Sequence, residues 1–246
     1  SLTSVTIGNS VTSIGSYAFE FCSYLTSVTI PDSVTSIGDS AFYSCDSLTS
    51  VTIGNSVTSI GRAAFRYCSS LTSIEVNPNN PSYASIDGVL YSKDITILIQ
   101  YPERKSGEII IPDSVTTIGD SVFEGRVSLT SVTIGNGVTR IGNSAFADCY
   151  NLEKMIFKGD APALGYNWNQ GCVRSVVYYY EGSSGFKTPM WQGMVCFSLS
   201  PNDIAGITTL HPGSADGSLP NLIAILALST IVVVTIAAFM WRGSRE

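Results

Sequence analysis

The sequence predicts an α/β solenoid of short strands and short helical turns, followed by one C-terminal transmembrane helix. Three observations lead there. Leu2, Leu25, Leu48 and Leu71 stand 23 residues apart, and Leu129 and Leu152 resume the same count. Phe19, Phe42, Phe65, Phe123 and Phe146 mark a second slot of the unit, and Cys22, Cys45, Cys68 and Cys149 a third. A fixed period of this length is the signature of stacked repeats. Leu222 to Trp241 is a run of 20 residues without a charge, about 30 Å at the helical rise and so the thickness of a bilayer core.

The stretch from Tyr24 to Asp46 shows how one unit is built. Val28 and Ile30 alternate with Ser27 and Thr29, as a half-buried strand requires. Pro31-Asp32, or Gly54-Asn55 and Gly135-Asn136 in other units, then turn the chain: Pro by fixing φ, Gly by permitting positive φ, Asp and Asn by bonding nearby backbone. A second extended piece, Val34 to Ile37, ends at Gly38. Asp39-Ser40 is expected to cap a single helical turn that places Ala41, Phe42 and Cys45 on one side. One coil alone cannot bury Leu25, Val28, Ile30, Val34, Ile37 and Phe42. Stacking puts like over like at about 4.8 Å, so stability comes from neighbouring coils.

With these residues in view, LTSVTIPDSVTSIGDSAFYSC resembles the BspA-type leucine-rich repeat, a surface-protein variety with a short coil. The resemblance covers residues 1 to about 160, through five matched coils, one interrupted coil and a degenerate last coil beginning at Asn151. It implies a right-handed, leucine-rich-repeat-like coil. It also implies a role in attachment to host or matrix proteins, as in bacterial relatives, and membrane-anchored forms such as those of some protists. It defines no binding residue that can be carried over to a position in this chain.

The fourth coil departs after Val76, and the repeat returns at Ile109. Within this insertion, about 77–105, Asp87-Gly88 is a turn signal, and Val89-Leu90-Tyr91 and Ile97-Leu98-Ile99 flank Ser92-Lys93-Asp94, which predicts a hairpin. The SIDGVLY stretch is similar to an insertion recurrent in the family, a strand that pairs back onto the solenoid. The hairpin is expected to pack rather than to protrude, because its strands are too apolar to stand free in water. Residues 161–197 read as a cap covering the last coil, with Trp168, Tyr178, Tyr180 and Trp191 as its core. The repeat cysteines read as small buried hydrophobes. Cys172 and Cys196, taken to lie outside that slot, are expected to form a disulfide in an oxidising compartment, contributing roughly 3 kcal/mol through loop closure.

Residues 198–220, rich in Ser, Thr, Gly, Pro and Asp, read as a flexible stalk. Residues 221–241 are the expected membrane helix and 242–246 a cytoplasmic tail carrying Arg242 and Arg245, which places the repeats outside the cell. A lipid-anchor signal fits less well because its spacer would be short and a charged tail follows. A sortase signal also fits less well, because Leu222 and Ile223 stand where its Thr and Gly belong. Ser1 enters in mid-coil without an initiator Met, so the sequence is expected to be part of a longer chain.

Composition narrows the function. Charged residues are only 13% of the chain and the net charge is −6, with no cluster of Lys and Arg, which argues against nucleic-acid binding. The sole histidine, His211, sits in the stalk, so a Ser-His-Asp or Cys-His arrangement is not available to the repeats, and no phosphate loop or HExxH motif is present. Neither catalysis nor a metal or other cofactor is expected. The candidate partner-binding face is the set forced outward by strand alternation: Ser4, Thr6, Ser27, Thr29, Ser50, Thr52, Ser73, Glu75, Ser131, Thr133 and Lys154. An extracellular protein or matrix ligand is the expected partner. A structural coat without a specific ligand is the alternative. An ice-binding Ser/Thr array is a remote one, disfavoured by Glu75 and Lys154 and by the curvature of such solenoids.

Overall fold

The structure is a computed structural model describing residues 2–105 and 107–200. The expected membrane span, the tail, His211 and nearly all of the stalk lie outside the described residues. Among the described residues, no helix is long and apolar enough to cross a membrane. Regular structure there consists entirely of strands. In chain order these are β1 (Ser13–Ile14), β2 (Ser27–Ile30), β3 (Ser36–Ile37), β4 (Ser50–Ile53), β5 (Ser59–Ile60), β6 (Ser73–Val76), β7 (Tyr83–Ile86), β8 (Val89–Ser92) and β9 (Ile97–Gln100). They continue as β10 (Gly107–Ile110), β11 (Thr117–Ile118), β12 (Leu129–Ile134), β13 (Arg140–Ile141), β14 (Lys154–Phe157), β15 (Ala163–Leu164), β16 (Val176–Tyr180), β17 (Met190–Trp191) and β18 (Met194–Leu199).

Alternation decides which strands stack. Val28 and Ile30 are buried while Ser27 and Thr29 face out, and the same pattern recurs along the chain. Parallel pairing of β2 with β4 and of β4 with β6 aligns Ser27, Ser50 and Ser73, and Val28, Val51 and Ile74. The short strands β1, β3 and β5 form a parallel sheet on another side of the coil. Beyond the insertion the long strands resume in the order β10-β12-β14-β16-β18-β17, and the short ones in the order β15-β13-β11-β9-β8-β7. The result is a β-solenoid of about eight coils.

The expected helical turn is absent, and the reason is hydrogen bonding between coils. Ser40, Phe42 and Ser44 donate their N–H groups to Arg62, Ala64 and Arg66 of the next coil at 2.8–2.9 Å. A helix would satisfy those groups within its own coil and leave the stack unpaired. Instead the corner places Ser40 at φ 51° and Ser44 at φ 54°, with Ala63 and Tyr67, and Ser144 and Asp148, equally left-handed in other coils. Alternate N–H groups thereby point along the stack. The same competition corrects the expected role of the turn residues. Asp32, Asp39, Asp113 and Asp120 accept from backbone N–H groups one coil onward, those of Asn55, Arg62, Asn136 and Asn143, at 2.7–3.1 Å. Nor do Gly54 and Gly135 serve positive φ. A Cβ on Gly54 would sit 2.8 Å from the Ile30 carbonyl, and one on Gly135 would sit 2.5 Å from that of Pro112, so these glycines answer to the closeness of the preceding coil.

Inside the coils, Phe19, Phe42 and Phe65 form one stack, with centroids 5.0 and 5.5 Å apart. Phe123 and Phe146 continue it at 4.7 Å, and Trp168 takes the next place. The cysteine slot does more than fill space. Cys45, Cys68 and Cys149 donate their thiols to the carbonyls of Phe19, Phe42 and Phe123 at 2.9–3.1 Å. Cys172 donates likewise to Phe146 at 2.9 Å, which corrects its assignment: it stands 23 residues after Cys149 and belongs to the ladder, so the coils run through segment 161–175. The expected Cys172–Cys196 bridge is not formed, and both are free, buried thiols. The Cys68 and Cys149 thiols are pushed up by the adjoining Cys45 and Cys172 sulfurs and then by burial. Burial alone pushes Cys196 up to about 11. Trp191 closes the end, packed on Phe157, Trp168 and Phe186.

The insertion divides the stack. β7, β8 and β9 make an antiparallel meander, and β9 then pairs parallel with β11, so the insertion itself supplies one short-strand rung. The buried Asn80 anchors its start by donating to the Gly54 and Val57 carbonyls and accepting from Ser82 and Tyr83. Gly88, at φ +72°, turns against β6, where its carbonyl accepts from Ile74 N–H and a Cβ would meet Ser73 at 2.7 Å. On the corner side, Arg126 occupies the cysteine slot. Its Nη2 donates to the Tyr101 carbonyl at 3.1 Å, the bond a cysteine makes elsewhere, while Nη1 pairs with Glu103 at 2.9 Å. Glu103 also accepts from Tyr67 N–H at 2.7 Å, and Arg66 pairs with Glu124. The junction is thus held by charge-assisted bonds where other junctions use backbone rungs.

Two consequences can be measured. Arg126→Ala should destabilise the protein by about 3–5 kcal/mol in urea unfolding, because Glu103 is left buried without its cation; adding Glu103→Gln should recover part of that loss. Alkylation of native protein at pH 8 should label Cys22 first and spare the five deeper thiols until the chain unfolds, and mass mapping without reductant should find Cys172 and Cys196 unlinked.

Candidate recognition surface

Each long strand contributes two outward positions, and the parallel register aligns them into columns. In the first block the columns are Ser27, Ser50 and Ser73, and Thr29, Thr52 and Glu75. In the second block Glu108, Ser131, Lys154 and Val176 form one column, and Ile110, Thr133, Ile156 and Tyr178 the other. Ser4 and Thr6 are exposed in the first coil, in a stretch that forms no strand. The structure therefore brings nine of the eleven expected residues into columns, in two blocks with the β7–β8 turn beside β6.

The hydroxyls divide sharply by partner. Threonines flanking the strands are committed to the stack: Thr49 donates to the Thr26 carbonyl at 3.0 Å, Thr72 to Thr49 at 2.9 Å and Thr58 to Thr35 at 3.3 Å. By contrast, the side-chain hydroxyls of Ser27, Thr29, Ser50, Thr52 and Thr133 have no hydrogen-bond partner among the described residues. Ser73 and Ser85 instead donate to Glu75, and Ser131 donates to Glu108 at 3.2 Å. A groove of about 420 Å³ lies beside the Thr29, Thr52 and Glu75 column, bounded by Pro31, Asp32 and Pro78.

Alternation by itself does not single out Glu108 and Ile110, because their strand follows directly on the insertion, which interrupts the 23-residue count. Their phase relative to Ser131 and Thr133 was the available signal. Ile110 is 68% exposed, whereas Ile156 in the same column is only 3% exposed. Tyr178, expected in the cap core, stands in this outward column, with its ring 6.0 Å from Phe197. The second block is consequently more apolar and more charged than the first. Among the described residues, no cluster of three or more His, Cys, Asp or Glu side chains is placed to hold a metal ion.

The fold has known counterparts. The BspA type leucine rich repeat region matches residues 1–96 and 101–174, in six copies. A leucine rich cell surface protein from Faecalibacterium prausnitzii A2-165 superposes with a TM-score of 0.61 at 26% identity, over 89% of this chain and 64% of that one. The pneumococcal vaccine antigen PcpA gives 0.56 at 24% identity, over 69% and 54%. A leucine-rich repeat protein from Bacteroides ovatus gives 0.51 at 23%, over 79% and 47%. The latter two likenesses show the fold alone. The chain spans between 47% and 64% of the length of these structures. No curated protein matches the sequence. With repeat register, corner ladder and family match in agreement, the chain belongs to the BspA-type leucine-rich repeat family.

Proposed function

We propose that the chain is a non-catalytic recognition protein of the cell surface, whose outward columns meet an extracellular protein or matrix partner. The observation that carries this reading is the row of uncommitted hydroxyls at Ser27, Thr29, Ser50 and Thr52, flanked by threonines whose hydroxyls are all spent on the stack. Unpaired donors and acceptors repeated once per coil offer a partner many equivalent bonds, each weak, with specificity set by register. Low charge predicts little electrostatic steering and a modest salt dependence of binding. The apolar run Leu222 to Trp241 would tether the protein as a single span with the repeats outside and the C-terminus cytoplasmic. Display of many copies would then supply avidity that one solenoid lacks. The likeness to a leucine rich cell surface protein supports the location. A structural coat is the second reading; it needs no uncommitted hydroxyls. Glu75, Glu108, Lys154 and Tyr178 interrupt the array an ice-binding face would need.

Replacing Thr29 and Thr52 together by Lys tests the face. Cell adhesion or matrix binding should fall by at least tenfold, about 1.4 kcal/mol, while the unfolding midpoint stays within error. Undiminished adhesion by the folded variant would move binding elsewhere or favour the coat. External protease on intact cells should release the repeats and leave the tail protected. Recovery of the whole unprocessed chain in the soluble fraction after carbonate extraction would remove the span from the proposal.

A further inference from the structure

Regular junctions between coils share one device: three corner N–H groups of one coil donate to three corner carbonyls of the next. Ser40, Phe42 and Ser44 donate in this way to Arg62, Ala64 and Arg66, and Ser121, Phe123 and Gly125 to Asn143, Ala145 and Ala147. Where the insertion enters, none of the three bonds is made. Tyr67 N–H turns to the Glu103 carboxylate. The N–H groups of Ala63 and Phe65, and the carbonyls of Asp120 and Val122, have no partner among the described residues.

The cause is a shortened corner. Leu98 is in register with Ile118, and the Tyr101 ring lies 5.1 Å from that of Phe123, so both ends of the corner are aligned. Between those ends the regular coil has four residues, Gly119 to Val122, and the interrupted coil only Ile99 and Gln100. The missing pair leaves a notch of about 250 Å³, floored by Leu90, Ile97 and Gln100 and walled by Ala63, Phe65 and Asp120. Its two walls belong to coils on either side of a cut one, so they stand about two rung spacings, ~9.6 Å, apart.

We propose that this notch binds a short segment of a partner protein, in the alternately left-handed conformation of a regular corner, whose backbone stands in for the missing one. One wall offers N–H donors on alternate residues and the other offers carbonyl acceptors on alternate residues, the complement of a single polypeptide rung laid between them. Addition of a strand to unpaired backbone groups is an established mode of peptide recognition, in which main-chain bonds give affinity and side-chain pockets give selectivity. The apolar floor suits a small or aliphatic side chain, as Ala41 and Val122 supply in regular corners. Arg62 and Asp120 at the rim balance in charge and impose no strong preference of sign. The site is separate from the outward columns, so the Thr29 and Thr52 variants leave it intact and its failure would not touch the reading above.

The probe is the synthetic peptide Gly-Asp-Ser-Ala, capped at both ends, the corner sequence of residues 38–41 that matches Gly119 to Val122, added to the full chain in amide hydrogen exchange. At saturation the Ala63 and Phe65 amides should exchange at least about tenfold more slowly, the effect of closing a modest hydrogen bond. A peptide N-methylated at alternate residues should give no protection. Gln100→Trp, which fills the notch from its floor, should weaken binding by at least about tenfold. Insertion of Gly-Asp between Ile99 and Gln100 should abolish binding and protect the same amides without peptide. The proposal is overturned if the peptide fails to bind at millimolar concentration, if folded Gln100→Trp binds it undiminished, or if both amides are already protected in the unmodified chain. Protection that instead rises with protein concentration and vanishes in Gln100→Trp would make a second copy of this chain the occupant and likewise overturn it.

Discussion

Backbone hydrogen bonding between successive coils is the constraint on which the rest of this molecule depends. No coil has a core of its own: alternate corner N–H groups donate 22 residues onward, as Ser40 does to Arg62, and N–H groups beside the strands donate 23 residues back, as Thr49 does to Thr26. That requirement explains features that look unrelated in the sequence. It forbids the helical turn that Asp39, Ser40 and the spacing of Ala41, Phe42 and Cys45 suggest, because a helix keeps its hydrogen bonds to itself. It draws serines, tyrosines and aspartates into left-handed conformations that cost each about 1 kcal/mol or more. It also sets the turn glycines, whose missing Cβ lets one coil approach the backbone of the one before it.

The same constraint makes the insertion the most informative part of the chain. At the insertion, many of the rungs on either side are satisfied by other means. Here Asn80 ties the insertion to the preceding coil with two bonds and braces its own loop with two more, Gly88 lets a turn lie against β6, and β9 takes over one rung for the short-strand sheet. At the corner the substitutes are ionic. Arg126 reproduces the thiol-to-carbonyl bond of the cysteine ladder and brings a charge that Glu103 neutralises, and Glu103 in turn satisfies Tyr67. Replacing a cysteine by an arginine at a buried slot is tolerable only because the shortened corner supplies that carboxylate. Buried pairs of this kind add little net stability over an apolar filling, yet removing one partner alone is costly.

Function follows from what stacking leaves over. Hydroxyls beside the strands are used up by the ladder, and those on the strands are not. The outward columns are therefore a first block of Ser and Thr broken by Glu75 and a mixed second block that carries Glu108, Lys154, Ile110 and Tyr178.

By itself the sequence determined the period, the strand alternation, the buried Phe and Cys slots and the family, because each is a one-dimensional pattern that a 23-residue repeat writes several times. It also determined which Ser and Thr side chains point outward, since alternation leaves no choice. Only the tertiary structure decided the conformation of the corner, the partners of the aspartates, the membership of Cys172 in the ladder and the places of Glu108, Ile110 and Tyr178 in the columns. The physical reason is common to all of these. Each depends on a bond or an alignment between residues one coil apart, and local propensity, which reads only a few neighbours along the chain, contains no term for the coil above or below.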